Sequence, residues 1–190
     1  MDGKLIYLMG PSGSGKDTLI DATREPLQAL GCKVVRRVIT RSAESVGEEA
    51  VGVSRAEFEQ RRSNGDFALY WHANGLDYGI PAEIDQWLRD GWHVLVNGSR
   101  GHLDEAQQRY PALLPLLLTV KDEVLRERLL RRGRESLVQI ESRLGRNGQF
   151  ASEGAIGNKQ IYRLDNSGDL AITVANLLSW LSLNVKPDQI

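Results

Sequence analysis

Leu5-Ile6-Tyr7-Leu8-Met9-Gly10-Pro11-Ser12-Gly13-Ser14-Gly15-Lys16-Asp17-Thr18 is the stretch that decides the fold of this chain. An unbroken apolar run, Leu5 to Met9, ends in a glycine-rich turn, as a strand buried on both faces of a parallel sheet does. Residues 15–30 behind the turn read as a helix, with Pro26 expected to break it or to begin a new first turn. The glycines let the backbone curl so that successive N–H groups point inward, and the helix N-terminus adds its positive end. Such a loop takes phosphate, with Lys16 as a mobile point charge reaching the outer phosphoryl groups. Gly10, Pro11, Ser12, Gly13, Ser14, Gly15, Lys16, Asp17 and Thr18 are therefore the candidate nucleotide-binding residues.

Outward from this loop, strands and helices alternate. Short strands are expected at 34–35, 67–71, 76–79, 92–96, 113–120 and 161–164. Residues 40–53 read as an irregular polar loop. Ser54 is a plausible N-cap for a helix to Arg62, with Glu57 at the capping-box position. Pro81 is expected to open another helix at its first turn. A helix from Asp122 to Arg132 runs into a strongly basic stretch, and Leu170, Val174, Leu177, Leu178 and Leu181 form a core-facing helical stripe. The alternation predicts an α/β fold, a parallel sheet covered on both faces, with a small lobe inserted around 66–80.

The 190 residues carry 24 Lys plus Arg against 25 Asp plus Glu, a net charge of −1, which argues against a dedicated nucleic-acid binder. The stretch 110–120 around the apolar centre is too short and too proline-interrupted to span a bilayer. Only five apolar residues precede Gly10-Pro11, so no secretory signal is read. Cys32 is alone, which fits a reducing compartment, and a cytoplasmic protein without nucleic-acid or membrane partners is expected. Oligomeric state is open. His72, His93 and His102 lack metal-ligand spacing, and the tryptophans read as core or lobe-packing residues. The near-neutral total hides an asymmetry: the segment 126–146 holds seven arginines and three glutamates, a local +4.

One feature of the loop departs from the usual pattern, in which Ser or Thr follows the lysine and binds Mg²⁺ through its hydroxyl. Here Asp17 follows Lys16 and the hydroxyl comes with Thr18. A carboxylate is a hard oxygen ligand, so Asp17 and Thr18 are the candidate Mg²⁺ ligands. The strand at 92–96 runs into Asn97, where such folds place an acid, and Asp17 is expected to supply part of that missing charge.

In this order, Gly10-Pro11-Ser12-Gly13-Ser14-Gly15-Lys16, Thr40-Arg41, Gly47-Glu48, Phe58, Tyr78-Gly79 and Arg143 resemble the guanylate kinases. The resemblance implies a P-loop kinase in one domain over 1–190, with an acceptor-binding lobe at 36–90 and an arginine-rich lid at 131–150. It implies that Arg41 and Tyr78 bind the acceptor phosphate and that arginines near 132–146 close over ATP. Where guanylate kinases read guanine with an acid and a hydroxyl, this chain has His72 and Ile80, which cannot make the same base contacts. Asn97 and Ser99, followed by Arg100, replace the acids after the central strand. Glu44 replaces a second phosphate-binding arginine, and Arg37 stands where a small hydroxyl residue is usual.

Gly-Lys-Asp-Thr at 15–18, Tyr-Gly-Ile-Pro-Ala-Glu-Ile at 78–84 and Val-Asn-Gly-Ser-Arg at 96–100 resemble the ribose 1,5-bisphosphate phosphokinases of bacterial phosphonate breakdown. That resemblance implies transfer of the γ-phosphoryl group of ATP, with Mg²⁺, to ribose 1,5-bisphosphate, giving 5-phosphoribosyl 1-diphosphate. Lys16, Arg132 and Arg143 are then the candidate catalytic residues. Arg37, Arg41, His72, Tyr78, Asn97 and Arg100 are the candidate acceptor-binding residues. Other readings stay open. Tyr78 suits core packing as well, and His72 suits a ribose contact, lobe packing or a titrating group. Arg126 and Arg131 read as a solvated helix face, with Glu127 and Arg131 as an i,i+4 pair. Asp165-Asn166 suits an adenine pocket or a turn and helix cap. A nucleoside monophosphate kinase of altered base preference and a non-catalytic interaction module are the alternative functions.

Overall fold

The computed structural model describes residues 3–41, 50–133, 136–151, 155–156 and 159–185; between 146 and 160 only the backbone is described. Leu5–Met9 forms β1, every residue of it buried. Strand alternation divides the core in two. Leu5, Tyr7 and Met9 pack on one face with Val94, Val96, Leu103 and Leu117. Ile6 and Leu8 pack on the other with Leu19, Leu27, Leu116, Leu177 and Leu181.

The elements that follow β1 are α1 (Lys16–Ala29), β2 (Cys32–Val34), β3 (Val38–Ile39), β4 (Val51–Gly52), α2 (Arg55–Ser63), β5 (Phe67–Ala73) and β6 (Leu76–Pro81). Then come α3 (Glu83–Arg89), β7 (His93–Asn97), a 3-10 turn at Arg100–His102, α4 (Leu103–Arg109), β8 (Leu114–Thr119) and α5 (Asp122–Arg132). The chain ends with α6 (Leu137–Ala151), the two-residue strands β9 (Ala155–Ile156) and β10 (Lys159–Gln160), β11 (Tyr162–Asp165) and α7 (Leu170–Asn184).

The main sheet has the order β11-β8-β1-β7-β2, with every pairing parallel. β1 is central: the chain leaves it toward β2 on one side, and leaves its neighbour β8 toward β11 on the other. Its carboxyl end is therefore a topological switch point, where open α/β sheets bind ligands. A separate four-stranded sheet, β4-β3-β6-β5, spans Val38 to Pro81 and has its own small core of Val38, Val53, Phe58 and Phe67. α5 and α6 share another cluster, built on Leu125, Leu129, Ile140 and Leu144. No helix among the described residues is long and apolar enough to cross a membrane.

Several local expectations are corrected. α1 runs through Pro26 without a break. The missing N–H frees the carbonyl of Ala22, which is exposed and can turn to water. Pro81 ends β6, opposite Phe67, instead of opening a helix. Within the loop expected at 40–53, residues 51–52 form β4 and pair with 38–39 of β3. α4 and α6 were not foreseen: α6 lay hidden in the basic stretch because, among its described side chains, only Ile140 and Leu144 are buried.

Candidate active site

The glycine-rich loop opens at the carboxyl end of β1 onto a cleft of about 1170 Å³. Gly13 and Gly15 hold φ of 87° and 90°, in the left-handed region that favours glycine. A Cβ on Gly15 would also lie 2.7 Å from Nδ2 of Asn166. The loop is tied down from behind: Asn166 Nδ2 donates to Ser14 O at 2.8 Å, and Arg128 bridges Ser14 O at 3.3 Å and Asn166 O at 2.8 Å. Thr173 Oγ1 donates to Asn166 Oδ1 at 2.9 Å, which fixes the amide's orientation. Lys16 Nζ folds over the loop and donates to Gly10 O at 2.7 Å and Pro11 O at 3.0 Å, within reach of an incoming phosphate.

Gly10, Pro11, Ser12, Gly13, Gly15, Lys16, Asp17 and Thr18 line the cleft, whereas Ser14 is wholly buried beneath it. Arg37, Arg41, Tyr78, Asn97, Arg100, Arg132 and Arg143 reach it from other parts of the chain. Arg41 also borders a second cavity of about 500 Å³ beside Thr40 and Ser54. His72 is the exception among the expected contacts. Along β5, Trp71 and Ala73 line the cleft, so the pleat turns His72 to the other face, exposed, with Nδ1 2.7 Å from Asp77 Oδ1. Glu44, Gly47, Glu48 and Arg134, and the side chain of Arg146, lie outside the described residues.

Asn97, 5% exposed, does not act alone: its Nδ2 donates to Asp17 Oδ1 at 3.1 Å, and its carbonyl accepts from Arg37 Nη1 at 3.1 Å. Asp17 is thus held at the mouth of the phosphate loop, with Thr18 beside it in the cleft wall. A carboxylate steadied by a neutral amide, a hydroxyl and an open cleft suit a hard divalent cation. The guanidinium of Arg37 also lies over the Tyr78 ring, 5.0 Å from its centre.

Three residues of the site carried other readings in the sequence. Trp71, read as packing, stacks on Tyr78 with centroids 5.5 Å apart and on His102 at 5.7 Å. Burial holds the His102 imidazole below its usual pKa, with Glu105 opposing. Arg128, in the middle of α5, and Asn166, directly after β11, position the phosphate loop; the sequence showed the first only as one cation of the basic stretch and the second as an adenine-pocket or cap residue. Of the two arginines read as solvated, Arg131 pairs with Glu127 at 2.6 Å, while Arg126 joins α5 to α6 through Glu141 at 2.7 Å.

A central parallel strand feeding a glycine-rich loop, a lysine within it and a cationic cleft above it define a P-loop kinase. Solved structures agree on the fold: a guanylate kinase from Anaplasma phagocytophilum matches with a TM-score of 0.70 at 18% identity, over 98% of this chain and 88% of its own. A gluconokinase from Sinorhizobium meliloti matches at 0.54, with 21% identity over 97% and 94%. No family model matches the chain. Among curated proteins, the ribose 1,5-bisphosphate phosphokinase PhnN of Pseudomonas paraeruginosa is 60% identical over 181 residues, 95% of this chain and 96% of the relative. That of Pseudomonas fluorescens is 59% identical over 95% and 96%, and that of Azotobacter vinelandii 57% over 94% and 95%. The chain belongs to this PhnN family.

Proposed function

We propose that the protein transfers the γ-phosphoryl group of ATP to ribose 1,5-bisphosphate, yielding 5-phosphoribosyl 1-diphosphate and ADP. The observation that carries this reading is the charge of the cleft. Seven arginines and Lys16 line it, against one carboxylate, that of Asp17, among the described residues. A phosphate monoester loses its second proton near pH 6, so at neutral pH an acceptor phosphate is already a nucleophile and needs no general base. Two polyanions must still be brought together. At about 4 Å and an effective dielectric near 20, each pair of unit charges repels by roughly 4 kcal/mol. Fixed cations around the transfer path offset that repulsion and follow the charge as it moves in line.

In this reading Lys16 and the N–H groups of the loop hold the outer phosphates of ATP. Arg132, at the end of α5, and Arg143, on α6, approach from the lid side and neutralise the transferring group. Arg37, Arg41 and Arg100, from the lobe and the segment after β7, receive the acceptor, with Tyr78 as a wall stiffened by Arg37. Asp17 and Thr18 would hold Mg²⁺, which supplies charge neutralisation between the nucleotide phosphates when bound. Asn97 acts by aiming Asp17.

Phosphorus NMR after incubation with ATP, Mg²⁺ and ribose 1,5-bisphosphate is the direct test. A new diphosphate signal on C1 with stoichiometric ADP is expected. No turnover of the sugar, with nucleoside monophosphates phosphorylated instead, would replace this reading by that of a nucleotide kinase.

A further inference from the structure

We propose that Trp71 is a specificity-determining residue, the middle of a filled ring stack that denies planar bases a place on the acceptor side of the cleft. The inference rests on the function proposed above and names what keeps that site for a sugar phosphate.

Trp71 and Tyr78 are register partners on β5 and β6, and both side chains face the cleft. Their rings lie within 6° of parallel, an offset stack. The His102 imidazole, carried in by the 3-10 turn after β7, lies within 28° of parallel to the indole. With both neighbours in place, Trp71 is only 9% exposed. The other ring of the wall, Tyr78, is covered by the guanidinium of Arg37.

Proteins that accept bases offer them an aromatic face or a guanidinium plane, and stacking supplies much of the affinity. Here the rings of Trp71, Tyr78 and His102 and the guanidinium of Arg37 are already engaged with one another. The middle of the row leaves no gap, because the indole itself fills the space between Tyr78 and His102. A sugar bisphosphate loses nothing by this, since it has no π-face and is recognised by the cations Arg37, Arg41 and Arg100. The stack selects by exclusion: it makes no new bond to the correct acceptor but removes the surface on which a wrong one would bind.

The test is calorimetric titration of GMP and AMP into wild type, Trp71→Ala and Trp71→Phe, with the nucleotide side saturated by a non-hydrolysable ATP analogue and Mg²⁺. Trp71→Ala opens the slot and should bind GMP and AMP at least about tenfold more tightly than wild type. Trp71→Phe keeps a ring in the slot and should stay near wild type. Thermal melts establish that each variant is folded. Should Trp71→Ala fail to fold, His102→Ala uncovers the indole from the partly exposed side and should shift affinity in the same direction. A folded Trp71→Ala or His102→Ala variant with unchanged nucleotide affinity would overturn the proposal, as would wild type binding GMP as tightly as ribose 1,5-bisphosphate. Because the readout is binding, the comparison remains decisive even if phosphorus NMR shows no turnover of the sugar, a result that would count against the function alone.

Discussion

The hydroxyl of Tyr7 clamps Ser99 from beneath, accepting from its backbone N–H at 3.0 Å and donating to its carbonyl at 3.1 Å. Tyr7 is wholly buried in the central strand, and burial raises its phenol pKa to about 12, so the hydroxyl stays a neutral donor and acceptor. Gly98 is what lets the loop come so close: a Cβ there would lie 2.2 Å from the Tyr7 ring. The central strand thus fixes not only the phosphate loop at its own end but also the neighbouring segment that carries Arg100.

Tyr7→Phe should therefore cost stability and acceptor binding together. Two backbone groups of Ser99 lose a partner inside the protein, a penalty of about 1–3 kcal/mol, or a melting temperature lower by about 2–12 °C. With Arg100 less firmly placed, KM for the acceptor should rise more than KM for ATP. Thermal melts and paired substrate titrations measure both; a variant with wild-type values in each would show that the clamp is dispensable.

The support behind the phosphate loop predicts the opposite selectivity. Asn166→Ala removes the buried amide on Ser14 O, and Arg128→Lys replaces a planar fork bridging two carbonyls with a single point charge. Both should weaken ATP binding severalfold while leaving acceptor KM nearly unchanged, and nucleotide titration by calorimetry would show it. Equal effects on the two substrates would mean that these residues hold the fold in general and not the loop.

The strand, glycine turn and helix were legible because their signals are local: an apolar run, spaced glycines and a lysine within a few residues. Helix α5 was legible to the residue for the same reason, being an uninterrupted helix-forming run that ends at Gly133. The supports of the site were not. Asn166 meets Ser14 across 152 positions of sequence, and nothing near either residue announces the contact. A strand was expected at 67–71, but which of its sides faces the cleft is decided by pairing with β6, and that put Trp71 in the site and His72 outside it. Pro26 misled because α1 tolerates it: the Ala22 carbonyl it frees is exposed and can turn to water.

Asp17 and Asn97 make a prediction about metal. Removing the carboxylate in Asp17→Ala should raise the Mg²⁺ concentration for half-maximal activity by about tenfold or more. Removing only the amide that aims it, in Asn97→Ala, should shift the same quantity in the same direction by less. Mn²⁺ binding followed by electron paramagnetic resonance, with the ATP analogue present, reads the effect without turnover. An unchanged Mn²⁺ affinity in Asp17→Ala would show that the carboxylate takes no part in holding the cation.

A last prediction concerns pH and the amino end of the central strands. His93 begins β7, and its Nδ1 accepts the backbone N–H of Lys4 at 3.0 Å, a bond that only the imidazole unprotonated at Nδ1 can make. Burial, and secondarily the charge of Lys4, lower its pKa from the ordinary value. In the unfolded chain the ring titrates near about 6.5. Above that pH neither state binds the proton and His93 adds no pH dependence. Below it the unfolded chain takes up the proton first, so stability falls as pH drops toward the depressed folded pKa and levels off beneath it. Melting temperature should therefore fall between pH 7.5 and pH 5.5. His93→Asn keeps an oxygen acceptor for Lys4 but cannot titrate, and it should flatten that slope. His102, depressed in the same direction by burial, leaves a residual slope that His102→Asn should remove. A slope unchanged in the double variant would assign the acid sensitivity to other groups and leave the Lys4–His93 bond without a role in it.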